Sequence, residues 1–138
     1  MIPDTYSSIE MRMLFYAIEL GLVQLLLAVL VSVWGRGLKW AAGPHDEGWP
    51  PLGRFGGRIE RAFKNFLETF PFFLGAVLFA NVFDAHTPTS ALGAQIYFWS
   101  RVAYVPVYAA GIPFLRTLVW VASIAGIVMV LSAVLMSS

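Results

Sequence analysis

Residues 61–75 read RAFKNFLETFPFFLG, a run of aromatic and aliphatic side chains that opens with charged ones. Arg58, Arg61, Asn65, Glu68 and Phe72 recur at steps of three and four, so a helix would carry them as one stripe with Lys64 beside it. Phe63, Phe66, Leu67 and Phe70 take the other faces. Further on, Tyr97, Arg101, Tyr104 and Tyr108 fall at i, i+4, i+7 and i+11 on one face of a second helix, and Arg116 follows. Arg58, Arg61, Lys64, Asn65, Tyr104, Tyr108 and Arg116 all converge on one end of their helices, with more positive charge than packing requires. That surplus suits a pocket for a small anionic molecule, held by charge-assisted hydrogen bonds and opening between helices toward lipid. Glu68 and Arg101 each lie roughly 15 Å from that same end, at about 1.5 Å of rise per residue, on helices running in opposite directions. Their matching depth predicts a buried Glu68–Arg101 ion pair. A purely structural role for the two charges is the alternative, since a partner reduces the cost of about 2.5–3.5 kcal/mol for a charge at mid-membrane.

These residues need long apolar elements to position them. Of 138 residues, 59% are hydrophobic and 12% charged, with a mean hydropathy of +0.74, which indicates a membrane protein. Four apolar runs are each long enough to cross roughly 30 Å of hydrocarbon. The expected fold is an all-α, four-transmembrane-helix bundle forming a single domain over residues 1–138, with helices at about 9–34, 58–83, 88–110 and 113–136. Gly35 and Gly37 end the first helix. The Gly- and Pro-rich segment that follows reads as an irregular loop. Thr87 is placed to cap the third helix, with Pro88 in its first turn. Gly111 and Pro113 make a tight reversal that sets the last two helices antiparallel.

Arg36, Lys39, Arg54, Arg58, Arg61 and Lys64 surround the first long loop, Arg116 opens the last helix, and no Lys or Arg occurs between Val77 and Ser100. The positive-inside rule then puts the first and third connections in the cytoplasm, with both termini and the second connection on the opposite side. Asp4 and Glu10 stand where a secretory signal would be basic, so the first helix is expected to be retained. The chain has no cysteine, which excludes disulfides, thiolate metal ligands and a cysteine nucleophile. A net charge of +1 argues against a nucleic-acid partner. His45 and His86 stand alone in opposite loops, so surface positions are expected and no metal site. Glu19, with Gln24 nearby, suits an interhelical hydrogen bond to a partner that the sequence does not name. Ala122 and Gly126 form a small-xxx-small pair for close helix approach. Trp40, Trp49 and Trp99 read as lipid or interface contacts.

The stretches RAFKNFLETFPFFLG, RVAYVPVY and PFLRT resemble the MAPEG family, the membrane-associated proteins in eicosanoid and glutathione metabolism, through most of the chain. The resemblance implies a homotrimer of four-helix subunits, with glutathione as co-substrate between neighbouring subunits and a lipophilic electrophile, hydroperoxide or lipid arriving from the bilayer. It carries glutathione contacts onto Arg61, Lys64, Asn65, Glu68, Arg101 and Tyr108, beside Arg58 and Tyr104 from the helix faces above. Arg116 matches the arginine that stabilises the glutathione thiolate in active members. Tyr108 either donates a hydrogen bond to that thiolate or packs beside it. Arg36, and Asp46 in a Pro-x-Asp loop, are further carry-overs. Phe63 stands where several relatives have histidine, and Lys64 where they have arginine, so no leukotriene or prostaglandin substrate is implied. The implied activity is that of a microsomal-type glutathione transferase or peroxidase, in a bacterial inner membrane. The alternatives are a non-catalytic lipid-binding or scaffold protein of the same family and, from another class, a small transporter or channel.

Overall fold

The structure, a computed structural model, describes residues 8–46 and 48–136. Asp4, on which part of the retained-helix reading rests, lies outside the described residues. Among them the chain is all-helical, with five helices: α1 Ile9–Arg36, α2 Leu38–Ala42, α3 Arg54–Val82, α4 Pro88–Ala110 and α5 Pro113–Met136. The last two match the expected bounds, and α3 starts a turn earlier than the sequence suggests. The long connection, expected to be irregular, contains α2, a single short helix whose start and end are both glycines, Gly37 and Gly43.

Local chemistry explains the helix ends. Ser8 accepts a hydrogen bond from the Met11 N–H and starts α1. Thr87 and Ser90 form a reciprocal capping box at the head of α4, where Pro88 loses no intrahelical bond. Gly111, at φ 73°, closes α4 in the left-handed conformation that a side chain disfavours.

Packing follows narrow seams. On α3 the buried residues Ile59, Ala62, Phe66, Thr69, Phe73 and Ala76 recur at steps of three and four. Phe73 stacks on Tyr97 of α4, with centroids 4.1 Å apart, and Thr69 shares a 3.0 Å hydrogen bond with the Tyr97 hydroxyl. The most extensive contact is α4 against α5, where Gly93 and Gly126 face each other so closely that a Cβ on Gly126 would sit 2.5 Å from the Gly93 carbonyl oxygen. α1 lies against α3 and α4 and makes no contact with α5 among the described residues.

Outside those seams the surface is apolar. α1 exposes Leu22, Val23, Leu25, Leu26, Val29 and Leu30 in one continuous band. Water would penalise such a surface, and hydrocarbon would not. α1, α3 and α5 are each long and apolar enough to cross a membrane.

Candidate functional site

Three helices build one polar cavity of about 450 Å³. α3 contributes Arg61, Lys64, Asn65 and Glu68 from successive turns, α4 contributes Tyr104 and Tyr108, and α5 contributes Arg116, Thr117 and Trp120. Arg61, Asn65 and Glu68 reach it because each lies one position before a buried seam residue, Ala62, Phe66 or Thr69, and Lys64 stands beside them.

Tyr108 organises the cationic end. The Arg61 Nε–H donates to its hydroxyl at 3.1 Å, and the Arg116 guanidinium lies 5.0 Å from its ring centroid. Tyr104 packs against Tyr108 with centroids 5.6 Å apart, and the Arg101 guanidinium lies 4.2 Å from the Tyr104 centroid. Three cations, Arg61, Lys64 and Arg116, face one carboxylate, Glu68. The Asn65 Oδ1 is buried and has no hydrogen-bond partner, which marks an acceptor that a donor in the cavity would satisfy. The arrangement can hold an anionic molecule that also carries a cationic group.

Two neighbouring features extend the cleft. At the α4–α5 turn a smaller cavity of about 240 Å³ is lined by Arg58, Arg61, Tyr108 and Arg116 with Gly111 and Pro113. Toward the membrane interior, an apolar groove of about 380 Å³ runs between Pro71, Phe72, Gly75 and Phe79 of α3 and Ile124 and Leu131 of α5. Its first residues lie one helical turn beyond Glu68 and Trp120, so the polar cavity leads into an apolar one.

A model of the MAPEG family matches residues 13–136. The chain belongs to the MAPEG family. No curated protein matches it. With α1, α3 and α5 able to span a bilayer, this MAPEG chain is an integral, multi-pass membrane protein.

The fold of this MAPEG chain brings seven of the expected residues into one cavity: Arg61, Lys64, Asn65, Glu68, Tyr104, Tyr108 and Arg116. Arg58 lies next door, donating to the Ala109 carbonyl at 3.3 Å. Arg36 stands apart, at the end of α1. It forms a two-pronged pair with Glu60, at 2.5 and 2.9 Å, donates to the Pro50 carbonyl, and sits about 5 Å from the Trp40 and Trp49 rings. Asp46 lines a cavity on that side, with Arg36, Lys39, Trp40 and His45.

The expected Glu68–Arg101 ion pair is absent. Arg101 is buried with Nε, Nη1 and Nη2 all lacking a hydrogen-bond partner, whereas Glu68 is exposed in the cleft. Depth along the helices matches, but direction around them does not: Thr69, one residue on, faces α4 where Glu68 was expected. His86 is not alone either, for its Nδ1 pairs with the buried Glu10 carboxylate of α1. His45 stacks on Trp40 with centroids 3.9 Å apart. Glu19 is exposed, while Gln24 is buried with both amide atoms unpartnered. Sequence reasoning misses Thr117 and Trp120, although Trp120 stands one helical turn from Arg116 and that spacing alone would nominate it.

Proposed function

We propose that the chain is a glutathione-dependent transferase or peroxidase, and that the 450 Å³ cavity holds glutathione. One observation carries this reading: three cations, one acid and an orphaned amide oxygen share a cleft that continues into an apolar groove. Glutathione bears two carboxylates and one ammonium. Arg61 and Lys64 are positioned for carboxylates, Glu68 and the Asn65 Oδ1 for the ammonium or amide donors. Arg116 favours the thiolate by direct charge attraction, and Tyr108 holds Arg61 and Arg116 in place.

The thiolate then attacks an electrophilic carbon, forming a C–S bond as the leaving group departs with the electron pair. With a hydroperoxide it attacks the terminal oxygen instead, releasing a glutathione sulfenic acid and an alkoxide that takes a proton from water to become the alcohol; a second glutathione converts the sulfenic acid to disulfide and water. The groove from Pro71 to Leu131 delivers the lipophilic partner. In this reading α1, α3, α4 and α5 all span the bilayer, the subunits form a homotrimer that completes the site, both termini are non-cytoplasmic, and the membrane is a bacterial inner membrane.

Equilibrium titration of glutathione into the detergent-purified protein tests the reading. Saturable binding that weakens at least tenfold in Arg61→Ala/Asn65→Ala is expected. Arg116→Ala should retain binding yet lose about tenfold of the thiolate absorbance at neutral pH, with a matching loss of turnover on chlorodinitrobenzene. Absence of binding at millimolar glutathione would overturn the proposal and leave a lipid-binding scaffold.

A further inference from the structure

The cavity at the α4–α5 turn differs in kind from the first. Arg58, Arg61 and Arg116 converge on it, and no acidic residue lines it. None of the three forms an ion pair among the described residues: Arg58 donates to a backbone carbonyl, Arg61 to the Tyr108 hydroxyl, and Arg116 lies over the Tyr108 ring. Three guanidinium groups sharing one small space repel one another unless an anion joins them. At about 240 Å³ the cavity falls under the roughly 300 Å³ at which pockets begin to enclose whole drug-sized ligands, so it suits a headgroup whose remainder lies elsewhere. It sits where α4 ends and α5 begins, the level at which a helix leaves hydrocarbon for the interfacial layer. Gly111 makes the room: a Cβ there would lie 2.7 Å from the Arg58 guanidinium, which crosses directly over it.

We propose that Arg58, Arg61 and Arg116 form a phosphate site for the headgroup of an anionic phospholipid, distinct from the cavity assigned to glutathione. Several guanidinium forks match the several oxygens of one phosphate, which a lone carboxylate does not offer. The site shares Arg61, Tyr108 and Arg116 with its neighbour and owns Arg58. An occupied phosphate site therefore draws on the same Arg116 charge that would hold a thiolate, so anionic lipid restrains thiol chemistry next door. The restraint rests on the glutathione reading; the phosphate binding itself does not depend on it.

The test uses the full-length protein in neutral detergent, titrated with short-chain phosphatidic acid, with short-chain phosphatidylcholine, and with glycerol phosphate. Expected is phosphatidic acid binding at least tenfold tighter than phosphatidylcholine, weakened by salt, and reduced fivefold or more in Arg58→Gln. Arg58→Lys, which keeps the charge but not the fork, should bind between wild type and Arg58→Gln and shows that the fold survives. Glycerol phosphate binding with the same Arg58 dependence and equal affinity would assign the site to soluble phosphate, in support of the phosphate chemistry. Equal binding of both lipids, or no response to Arg58→Gln, would overturn the proposal. A parallel, equal loss of glutathione affinity in Arg58→Gln would overturn it too, by making the two cavities one site. Wild-type protein that binds phosphatidic acid but no glutathione would refute the transferase reading alone.

Discussion

Glu10 shows what a single carboxylate demands at a helix start. It is 2% exposed and answered by the His86 Nδ1, while Asp84 stands 3.9 Å from the other ring nitrogen and is almost fully solvated. Removing the imidazole leaves the acid buried without its partner, and that costs more than the bond itself contributed. His86→Ala is therefore expected to lower stability by about 2 kcal/mol, read as a fall in Tm in detergent. Glu10→Gln made in the same background should restore part of the loss. Glu68 gives the opposite expectation, because it is exposed and holds no ion pair among the described residues. Glu68→Gln should shift unfolding free energy by no more than about 0.5 kcal/mol, while weakening glutathione binding. A large stability loss would restore the pairing with Arg101 that the structure lacks.

Between elements, two contacts hold the architecture that positions the cleft. Arg36 fastens the end of α1 to α3 through both Glu60 oxygens, and its side chain is 4% exposed. Glu60→Gln removes the charge facing that guanidinium, which keeps its bonds to Ser32 and the Pro50 carbonyl, and should cost about 1–2 kcal/mol, with faster proteolysis of the connection between α2 and α3 as a second readout. The other contact is steric. Gly93 and Gly126 bring the backbones of α4 and α5 together, and a Cβ on Gly126 would also meet the Tyr97 amide nitrogen at 2.8 Å. Neither neighbour is a flexible side chain, so the helices themselves must part. Gly126→Ala is expected to cost about 1–3 kcal/mol and to disturb the cavity, since α4 and α5 supply Tyr104, Tyr108 and Arg116 to it. Differential scanning fluorimetry beside a glutathione titration checks both effects.

For the whole molecule, the absence of cysteine offers a direct reading of topology. Single cysteines at Trp49, before α3, and at Thr89, at the head of α4, are both exposed. The proposed orientation puts them on opposite sides of the membrane, so an impermeant thiol reagent applied from outside should label only Thr89→Cys; labelling of Trp49→Cys alone would invert it. Much of this molecule is legible in its amino-acid sequence. The bounds of α4 and α5 follow from Thr87, Pro88, Gly111 and Pro113, whose backbone preferences act locally and do not depend on tertiary context. The α3 stripe is legible too, because helical periodicity alone puts Arg61, Lys64, Asn65 and Glu68 on neighbouring turns. Periodicity gives depth and face on one helix, but not the rotation of that helix against its neighbour. That rotation is chosen by packing, through Phe73 on Tyr97, Thr69 on the Tyr97 hydroxyl and Gly93 on Gly126. It turns Glu68 to the cleft and leaves Arg101 among aromatic rings, where an antiparallel depth match would pair them. The union of Glu10 with His86, 76 residues apart, likewise comes from the way α1 lies along α3 and α4. Local backbone chemistry therefore determined the elements and the residues available for a site, and side-chain packing between helices decided which of those residues share it.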